Sequence, residues 1–340
     1  MIGSIIFVAI GLSLLILVHE LGHFLAARYF GLFVEEFGIG FPPRLLTKKI
    51  GQTIYSLNLI PLGGFVRIHG EYPSIEAVGA SPVSAQPERS FVNQSAGRRA
   101  IIIVAGVLMN FVLGWLIISG VLFVGSPSLT VVELVQKDSP AAESGLQKGD
   151  VILGFATTQK LVDFIDQNKG QAIALKIKRG KTEFEIRTIP RVNPLPGQGV
   201  LGVGLADSGI PQHSFLQSLV KGLLASLGVA AAVLAGLYQV VFTPESLIGP
   251  VGIFDIAITT SQLGLIHFFQ FLALISLNLV VLNILPIPAL DGGRLLFIIL
   301  EKLRGRKFTP SFEMRANAVG LSFLIMLIVL VTIKDMVSLL

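Results

Sequence analysis

The chain has 340 residues, of which 52% are hydrophobic and 14% are charged, and its mean hydropathy is +0.77. A typical soluble domain carries roughly 25% charged residues, so this composition favours a membrane protein. The net charge of +5 is assigned to cytoplasmic loops, because no basic stripe carries the interleaved aromatic residues of a nucleic-acid surface. The lack of cysteine excludes disulfides and thiolate ligands, which leaves histidine and carboxylate as metal donors.

The first apolar segment, Ile2 to Ala27, contains the motif His19-Glu20-Leu21-Gly22-His23 after a run without any charge. Two histidines four residues apart share one face of a helix and can offer two nitrogens to one Zn²⁺, with Glu20 beside the metal-bound water. Ionisable groups in a membrane helix are costly, so they indicate function. A cleaved signal peptide is the alternative, but the segment lacks a basic start and a small-x-small cleavage site before His19.

The remaining chain alternates between apolar and polar stretches. In order they are a mixed loop (Arg28 to Arg99), a second span (Ala100 to Val124), a soluble segment (Pro127 to Asp207), an apolar helix (Phe215 to Phe242), an interrupted apolar segment (Leu263 to Leu290), a basic segment (Arg294 to Arg315) and a last apolar run (Val319 to Ile333). Since a span needs about 20 apolar residues, the pattern predicts about four transmembrane helices. Four regions follow as domains: 1–126, 127–207, 208–262 and 263–340.

The topology follows from charge and parity. The positive-inside rule places the loops 28–99 and 294–315 in the cytoplasm, so the second span leads outward and the segment 127–207 is extracytoplasmic. At 1.5 Å per residue, His19 lies roughly 25 Å along the first span, near the cytoplasmic interface. If the segment 263–290 returns inward, it brings Asp291 to that depth. The helix 215–242 is then predicted to lie along the membrane or against the helix bundle, because a further crossing would put Asp291 on the wrong side.

Asp291 is the third metal ligand by elimination. A catalytic zinc site has three protein ligands and an open position for water, and no other acidic residue has this placement. Pro286 and Pro288 break the helix before it, while Gly292 and Gly293 permit close backbone approach. Broken backbone at membrane depth is tolerated where it is buried or lines a wet cavity. The alternative is that Asp291 only begins a cytoplasmic loop.

The soluble segment has the pattern of a small α+β module. Ser139-Pro140 predicts a helix start, and Gly145 is a fitting residue after its end. Ile173 to Ile177 alternates as a strand and is followed by a turn and a second strand, Thr182 to Ile189. The run Ser-Pro-Ala-x-x-x-Gly-Leu-x-x-Gly-Asp resembles the core of bacterial PDZ domains, which often bind extended peptides. The alternative is a module that filters substrates by size or packs on the membrane.

Taken together, the motifs resemble those of the site-2 protease family of intramembrane zinc metalloproteases, and most of all its bacterial RseP-like branch. The resemblance rests on His19 to His23, on Asn283 to Gly293 (Asn-x-x-Pro-x-Pro-x-Leu-Asp-Gly-Gly) and on Phe37 to Pro43 with Pro61 to Glu71. It implies a multi-pass α-helical membrane protein with a membrane-associated β-hairpin and a PDZ-like domain. One departure is that this chain has room for a single PDZ module, where some relatives have two.

The chemistry follows from these residues. Zn²⁺ held by His19, His23 and Asp291 would lower the pKa of its water toward about 7 and polarise the scissile carbonyl. Glu20 would act as general base and then as general acid. The resemblance gives Asn283 a role in holding substrate backbone, with a cap on the broken helix as the alternative. The segment Thr53 to His69 alternates around Pro61-Leu-Gly-Gly, which suits a hairpin whose edge pairs with an extended substrate. Gly63 and Gly64 are therefore predicted to contact the substrate.

The expected substrates are single-span membrane proteins, of the anti-sigma factor or signal-peptide remnant type, cut within the bacterial cytoplasmic (inner) membrane. The PDZ-like domain would take a peptide C-terminus, the partners include the lipid bilayer, and no nucleic acid is expected. Two other functions stay open. A divalent-metal transporter predicts polar residues along several spans, whereas a PDZ membrane scaffold without catalysis predicts damage to the metal-binding set.

Overall fold

The computed structural model describes residues 2–71, 87–127, 129–155, 157–180, 182–194, 198–240, 242–243 and 247–338. In chain order its elements are α1 (Ile2–Tyr29), β1 (Val34–Ile50), β2 (Thr53–Ile68), α2 (Ala96–Val124), β3 (Thr130–Val135), α3 (Pro140–Glu143), β4 (Val151–Leu153), α4 (Thr158–Gln167), β5 (Ile173–Arg179), β6 (Thr182–Thr188), β7 (Val203–Asp207), α5 (Phe215–Val240), α6 (Pro250–Leu263), α7 (Leu265–Ile284), α8 (Asp291–Arg304) and α9 (Pro310–Ser338). The chain divides into two compact units, Met1–Gly120 with Leu219–Leu340, and Val121–Ser218.

Five helices among the described residues are long and apolar enough to cross a membrane. They are Ile5–Tyr29, Ala96–Val124, Phe215–Val240, Leu265–Ile284 and Pro310–Val337. The predicted multi-pass helical architecture is therefore confirmed in outline. The helix Phe215–Val240 meets the same length and composition criteria as the others, so its predicted course along the membrane stays a prediction, as does the count of about four spans.

α1 and α7 run in the same direction, and α2 runs against both. The starts of α1 and α7 meet where the rings of Phe7 and Phe268 lie 4.5 Å apart. Further along, a Cβ added to Gly114 of α2 would touch Leu277 of α7 at 2.9 Å, so glycine lets these helices pack closely. Because α1 and α7 are parallel, the segment that follows α7 reaches the level of the histidines near the end of α1.

A short apolar helix, α6, lies within the region predicted only as a membrane-associated linker and helix. Its Ala257 is fully buried in a cluster with residues of α1 and α7. Its first turn is held from α9, since the Asp335 carboxylate accepts the Gly252 N–H at 2.9 Å. A carboxylate at a helix N-terminus satisfies otherwise unpaired N–H groups and the positive end of the helix dipole.

The two long strands, β1 and β2, pair differently from the prediction, in which Thr53 to His69 forms a hairpin by itself. Residues 36–39 of β1 pair on one side with 64–67 of β2 and on the other side with 54–57. The two halves of β2 are therefore separated by β1, and the prediction that they pair with each other is wrong. The reason is a sharp bend in β1 near Gly40, whose φ is +77° and whose missing side chain leaves room for the Ile60 carbonyl. The segment 64–68 consequently lies at the edge of this sheet.

The second unit, Val121–Ser218, is a small α+β fold that brackets the predicted 127–207 module. Its five antiparallel strands have the order β6-β5-β4-β3-β7, and its core contains Val132, Ile152, Leu161, Leu175 and Ile177. The predicted helix start is present, because Ser139 Oγ accepts the Ala142 N–H at 3.2 Å with Pro140 next to it. The assignment of this unit as a PDZ domain stays a prediction.

A buried carboxylate clamps this second unit. Asp150, which is 1% exposed, accepts hydrogen bonds from Arg179 Nε at 2.7 Å and Nη2 at 2.8 Å, and from the Gln147 N–H at 2.8 Å. These partners, Arg179 foremost, hold the pKa of Asp150 below its ordinary value. The stabilisation is therefore present above the unfolded-state pKa of about 3.9 and is lost as pH falls through the lower folded-state pKa.

We expect Asp150→Asn to lower the free energy of unfolding of this unit by about 2 kcal/mol at pH 7, because two charge-assisted hydrogen bonds are lost. The difference from wild type should shrink below about pH 4, because the unfolded wild-type chain then takes up a proton that the folded carboxylate does not yet bind. Denaturant titration of the full chain, read by hydrogen exchange in β4 and β5, measures the loss of stability at pH 7 and its dependence on pH. Asp163→Asn, at an exposed position of α4, is the matched control. A stability difference that stays constant down to pH 3 would contradict the role of the ionised Asp150.

Candidate metal centre

Three side chains from two distant parts of the chain converge on one point. His19 Nε2 and His23 Nε2 lie 3.1 Å apart, and Asp291 Oδ2 lies 3.0 Å from the first and 3.4 Å from the second. Both histidines are buried, at 9% and 8% exposure. Among the described residues this is the group of His, Asp and Glu side chains with donor atoms close enough to hold one metal ion. The three residues predicted as ligands are thus brought together.

The donor set fits Zn²⁺ in both chemistry and spacing. Tetrahedral zinc with bonds of about 2.0–2.1 Å separates its ligand atoms by about 3.3 Å, close to the distances found here. Asp291 Oδ2 is buried and accepts no hydrogen bond from the residues that the structure describes. Such a buried oxygen is costly unless a cation or donor satisfies it. Two imidazoles and one carboxylate are the donors of a catalytic zinc site with one open position.

The backbone before Asp291 explains how an aspartate reaches this depth. α7 ends at Ile284, and Asp291 is the first residue of α8. A Cβ on Gly292 would lie 2.2 Å from the Leu285 carbonyl oxygen, and one on Gly293 would lie 2.2 Å from that of Ile287. Only glycine permits this compact turn, as the Gly-Gly pair predicts. The turn is also tied to α9, since the amide oxygen of Asn317 accepts the Ala289 N–H at 3.0 Å.

His23 is held in one orientation from α2. Its Nδ1 lies 2.9 Å from the Ile102 carbonyl oxygen, which accepts the Nδ1 proton and leaves the Nε2 lone pair for a metal. The approach of α2 depends on two glycines. A Cβ on Gly22 would lie 2.3 Å from the Ala105 carbonyl oxygen, and one on Gly106 would lie 2.4 Å from His23 Nε2. The end of α1 that carries the histidines therefore packs closely against α2.

Glu20 lies in the wall of the same cavity as the three donors. The cavity has a volume of about 490 Å³ and its lining includes Ile16, Phe65, Val66, Arg67, Glu71, Asn110, Leu279, Asn283 and Arg294. Glu20 Oε2 accepts the Val66 N–H from the edge of β2 at 3.1 Å. Glu20 thus lines the same cavity as the three donor residues, but its carboxylate is bonded to the edge of β2. It does not belong to the group of three donors.

The residues predicted to contact substrate have different placements. Asn283 lines the cavity. Gly63, with φ +93°, and Gly64 pack on α1 beside Ile16 and Leu17, and neither belongs to the cavity lining. The next three residues of β2, Phe65 to Arg67, line it instead.

Two features of the site escaped the sequence analysis. Arg294, three residues after Asp291, forms an ion pair with Glu71 at the cavity wall. Asn110 of α2 is fully buried beside His19. The signal for Asn110 was a lone amide in an otherwise apolar span, which is costly to bury without a partner. The pairing of Arg294 with Glu71 has no local signal, because the two residues lie 223 positions apart.

The fold and site define a class of protein, the multi-pass membrane metalloproteins with a His-Glu-x-x-His helix and a distant aspartate. Residues 7–327 match the model of Peptidase family M50, and the chain belongs to that family. It is 33% identical over 353 residues to the membrane metalloprotease ARASP, chloroplastic, of Arabidopsis thaliana, covering 96% of this chain and 77% of that protein. It is 28% identical to the zinc metalloprotease RasP of Shouchella clausii, covering 97% of each, and 27% identical to the Regulator of sigma-W protease RasP of Bacillus subtilis, covering 98% of each.

These comparisons confirm the resemblance to site-2 proteases and the assignment as a zinc metalloprotease in a membrane protein. The match over 7–327 includes both His19 to His23 and Asn283 to Gly293, so the two halves of the metal centre lie inside the family region.

Proposed function

We propose that this protein is an intramembrane zinc endopeptidase whose ligands are His19, His23 and Asp291 and whose general base is Glu20. The observation that carries the proposal is the convergence of the three donor atoms within 3.0–3.4 Å of one another beside Glu20. A metal transporter would need polar groups along a path. Glu20, Asn110 and Asn283 line the same cavity as the three donor residues, which favours hydrolysis over transport.

Each residue has a separate task in peptide-bond hydrolysis. Zn²⁺, when bound, supplies a Lewis acid that activates water and polarises a carbonyl. Glu20 accepts the proton of the attacking water and returns it to the leaving amine. Because its Oε2 lies 3.1 Å from the Val66 nitrogen, the edge of β2 holds the carboxylate in the cavity. The hydrogen bond from His23 to the Ile102 carbonyl keeps that imidazole in the tautomer that can bind a cation.

The substrate would bind in extended form along the edge of β2. A transmembrane helix hides its peptide bonds in internal hydrogen bonds, so it must unwind locally before attack. The segment 64–68 is an edge beside Glu20, and adding a strand there would satisfy the exposed backbone of the substrate. Asn283 lines the same cavity, and its amide can both donate to and accept from substrate backbone. Gly63 and Gly64 would shape the start of this edge rather than contact the cleaved bond.

The substrates we propose are single-span membrane proteins, such as anti-sigma factors and signal-peptide remnants. One relative is named Regulator of sigma-W protease RasP, which favours the first type. The basic ends of the segments 28–99 and 294–315 favour a bacterial cytoplasmic membrane with these loops inside and the unit Val121–Ser218 outside. That unit would receive a peptide C-terminus if it works as a PDZ domain.

Metal removal tests the proposal. Purified protein in liposomes with a tagged single-span substrate should cleave it, lose cleavage after chelation, and regain it when Zn²⁺ is restored, because zinc activates the attacking water. Cleavage that persists in protein shown to be metal-free would sink the proposal. Zinc flux across the liposomes without cleavage would favour the transporter, and substrate binding without cleavage at full zinc occupancy would favour the scaffold.

A further inference from the structure

Asn110 of α2 is fully buried and has an unusual environment. Its Nδ2 lies 3.5 Å from His19 Nδ1, so a nitrogen faces a nitrogen, while its Oδ1 is buried with no hydrogen-bond partner among the described residues. A buried amide oxygen without a partner costs about 1–3 kcal/mol. The two ends of a primary amide have the same shape, and a rotation of 180° exchanges them. After this rotation Oδ1 faces His19 Nδ1 and can accept its proton.

The rotated amide oxygen pairs with the proton on His19 Nδ1. His19 Nε2 lies 3.0 Å from Asp291 Oδ2 and 3.1 Å from His23 Nε2, so this nitrogen faces the metal-binding point. For Nε2 to offer a lone pair, the ring proton must sit on Nδ1, where it needs an acceptor. The Ile102 carbonyl is that acceptor for His23. On the basis of the proposed metal centre, we infer that the Asn110 amide oxygen is the corresponding acceptor for His19, which makes Asn110 a positioning residue.

The structural contribution of Asn110 to helix packing does not need its side chain. Ser276 Oγ of α7 donates at 2.8 Å to the backbone carbonyl of Asn110, and any residue at this position offers the same carbonyl. Replacing only the amide therefore separates the orientation of His19 from the contact between α2 and α7. Leucine has the same number and branching of side-chain heavy atoms and removes the acceptor, whereas aspartate keeps it.

The test measures metal affinity rather than cleavage. We expect Asn110→Leu in the full chain to weaken Zn²⁺ binding about 10–100-fold in competition with a chromophoric chelator, because loss of such a partner lowers metal affinity by that factor. The visible absorption of the Co²⁺-loaded protein should change as well. Asn110→Asp should keep affinity within a few fold of wild type. Asn278→Leu on α7, whose amide donates to the Leu274 carbonyl, is the matched control and should bind as wild type.

A double-mutant cycle with His19→Ala separates this inference from the proposed function. Since Asn110 acts through His19, adding Asn110→Leu to His19→Ala should cause no further loss. If His19→Ala binds Zn²⁺ as wild type does, the ligand assignment itself fails. If His19→Ala loses affinity while Asn110→Leu behaves like Asn278→Leu, only the role of Asn110 is overturned. Should Asn110→Leu not fold, Asn110→Ser must weaken binding and Asn110→Asp must not, and equal affinities for these two variants would overturn the inference.

Discussion

Glu20→Gln is expected to lower the cleavage rate by about 10²–10⁴-fold while the protein still binds Zn²⁺. The range is what a positioned general base contributes, because glutamine cannot accept the proton of the attacking water. Glu20 lies beside the three donors without belonging to their cluster. The glutamine amide oxygen can still accept the Val66 N–H that Glu20 accepts at 3.1 Å, so the cavity should keep its shape. Single-turnover cleavage of a tagged substrate in liposomes, with zinc content measured on the same sample, gives both results.

Glu88→Gln is the control for this prediction, because the exposed Glu88 side chain lies in the loop before α2 and outside the cavity lining. It should cleave as wild type does. Two results would contradict the role of Glu20. Wild-type cleavage by the glutamine variant would show that another group takes the proton. Loss of zinc together with cleavage would show that Glu20 binds the metal and leaves the general base unassigned.

The spacing of the two histidines in the candidate metal centre can be predicted from the sequence because it follows a local rule. A spacing of four residues places His19 and His23 on one helix face whatever the rest of the fold does. That Asp291 meets the histidines is predicted from counting spans, and in the structure α1 and α7 run parallel, with the rings of Phe7 and Phe268 in contact at one end and His19 and Asp291 at the other. The depth of Asp291 in the membrane stays a prediction. The role of each residue in catalysis remains a proposal.

What the sequence could not predict is long-range pairing. Alternation in β2 indicates a strand but not its partner, and the bend at Gly40 decides that β1 lies between the two halves of β2. Asn110 is an isolated amide in the sequence and becomes informative only beside His19. The pairing of Arg99 with Glu301 spans 202 positions and has no periodic signal at all. Such contacts depend on the order in which helices pack, and composition does not determine that order.

The ion pair between Arg99 and Glu301 connects the start of α2 to α8, the helix that begins at Asp291. Arg99 Nη2 donates to Glu301 Oε2 at 2.5 Å, and the two side chains are 8% and 5% exposed. Glu301 Oε1 also accepts the Phe308 N–H at 3.0 Å, which fixes the turn after α8. Removing one partner of a buried pair leaves an uncompensated charge in an apolar setting.

We therefore expect Arg99→Met to destabilise the protein by about 3–5 kcal/mol, measured by denaturant titration in detergent micelles. Arg98→Met is the matched control on the same helix turn, because the exposed Arg98 bonds to Gln94 at 3.1 Å, and its loss should change stability by about 0.5 kcal/mol or less. The double variant Arg99→Met with Glu301→Gln should recover part of the loss, since glutamine keeps an acceptor for the Phe308 N–H and carries no charge. Equal stability of the Arg98 and Arg99 variants would contradict this role, because it would mean that water compensates the charge of Glu301.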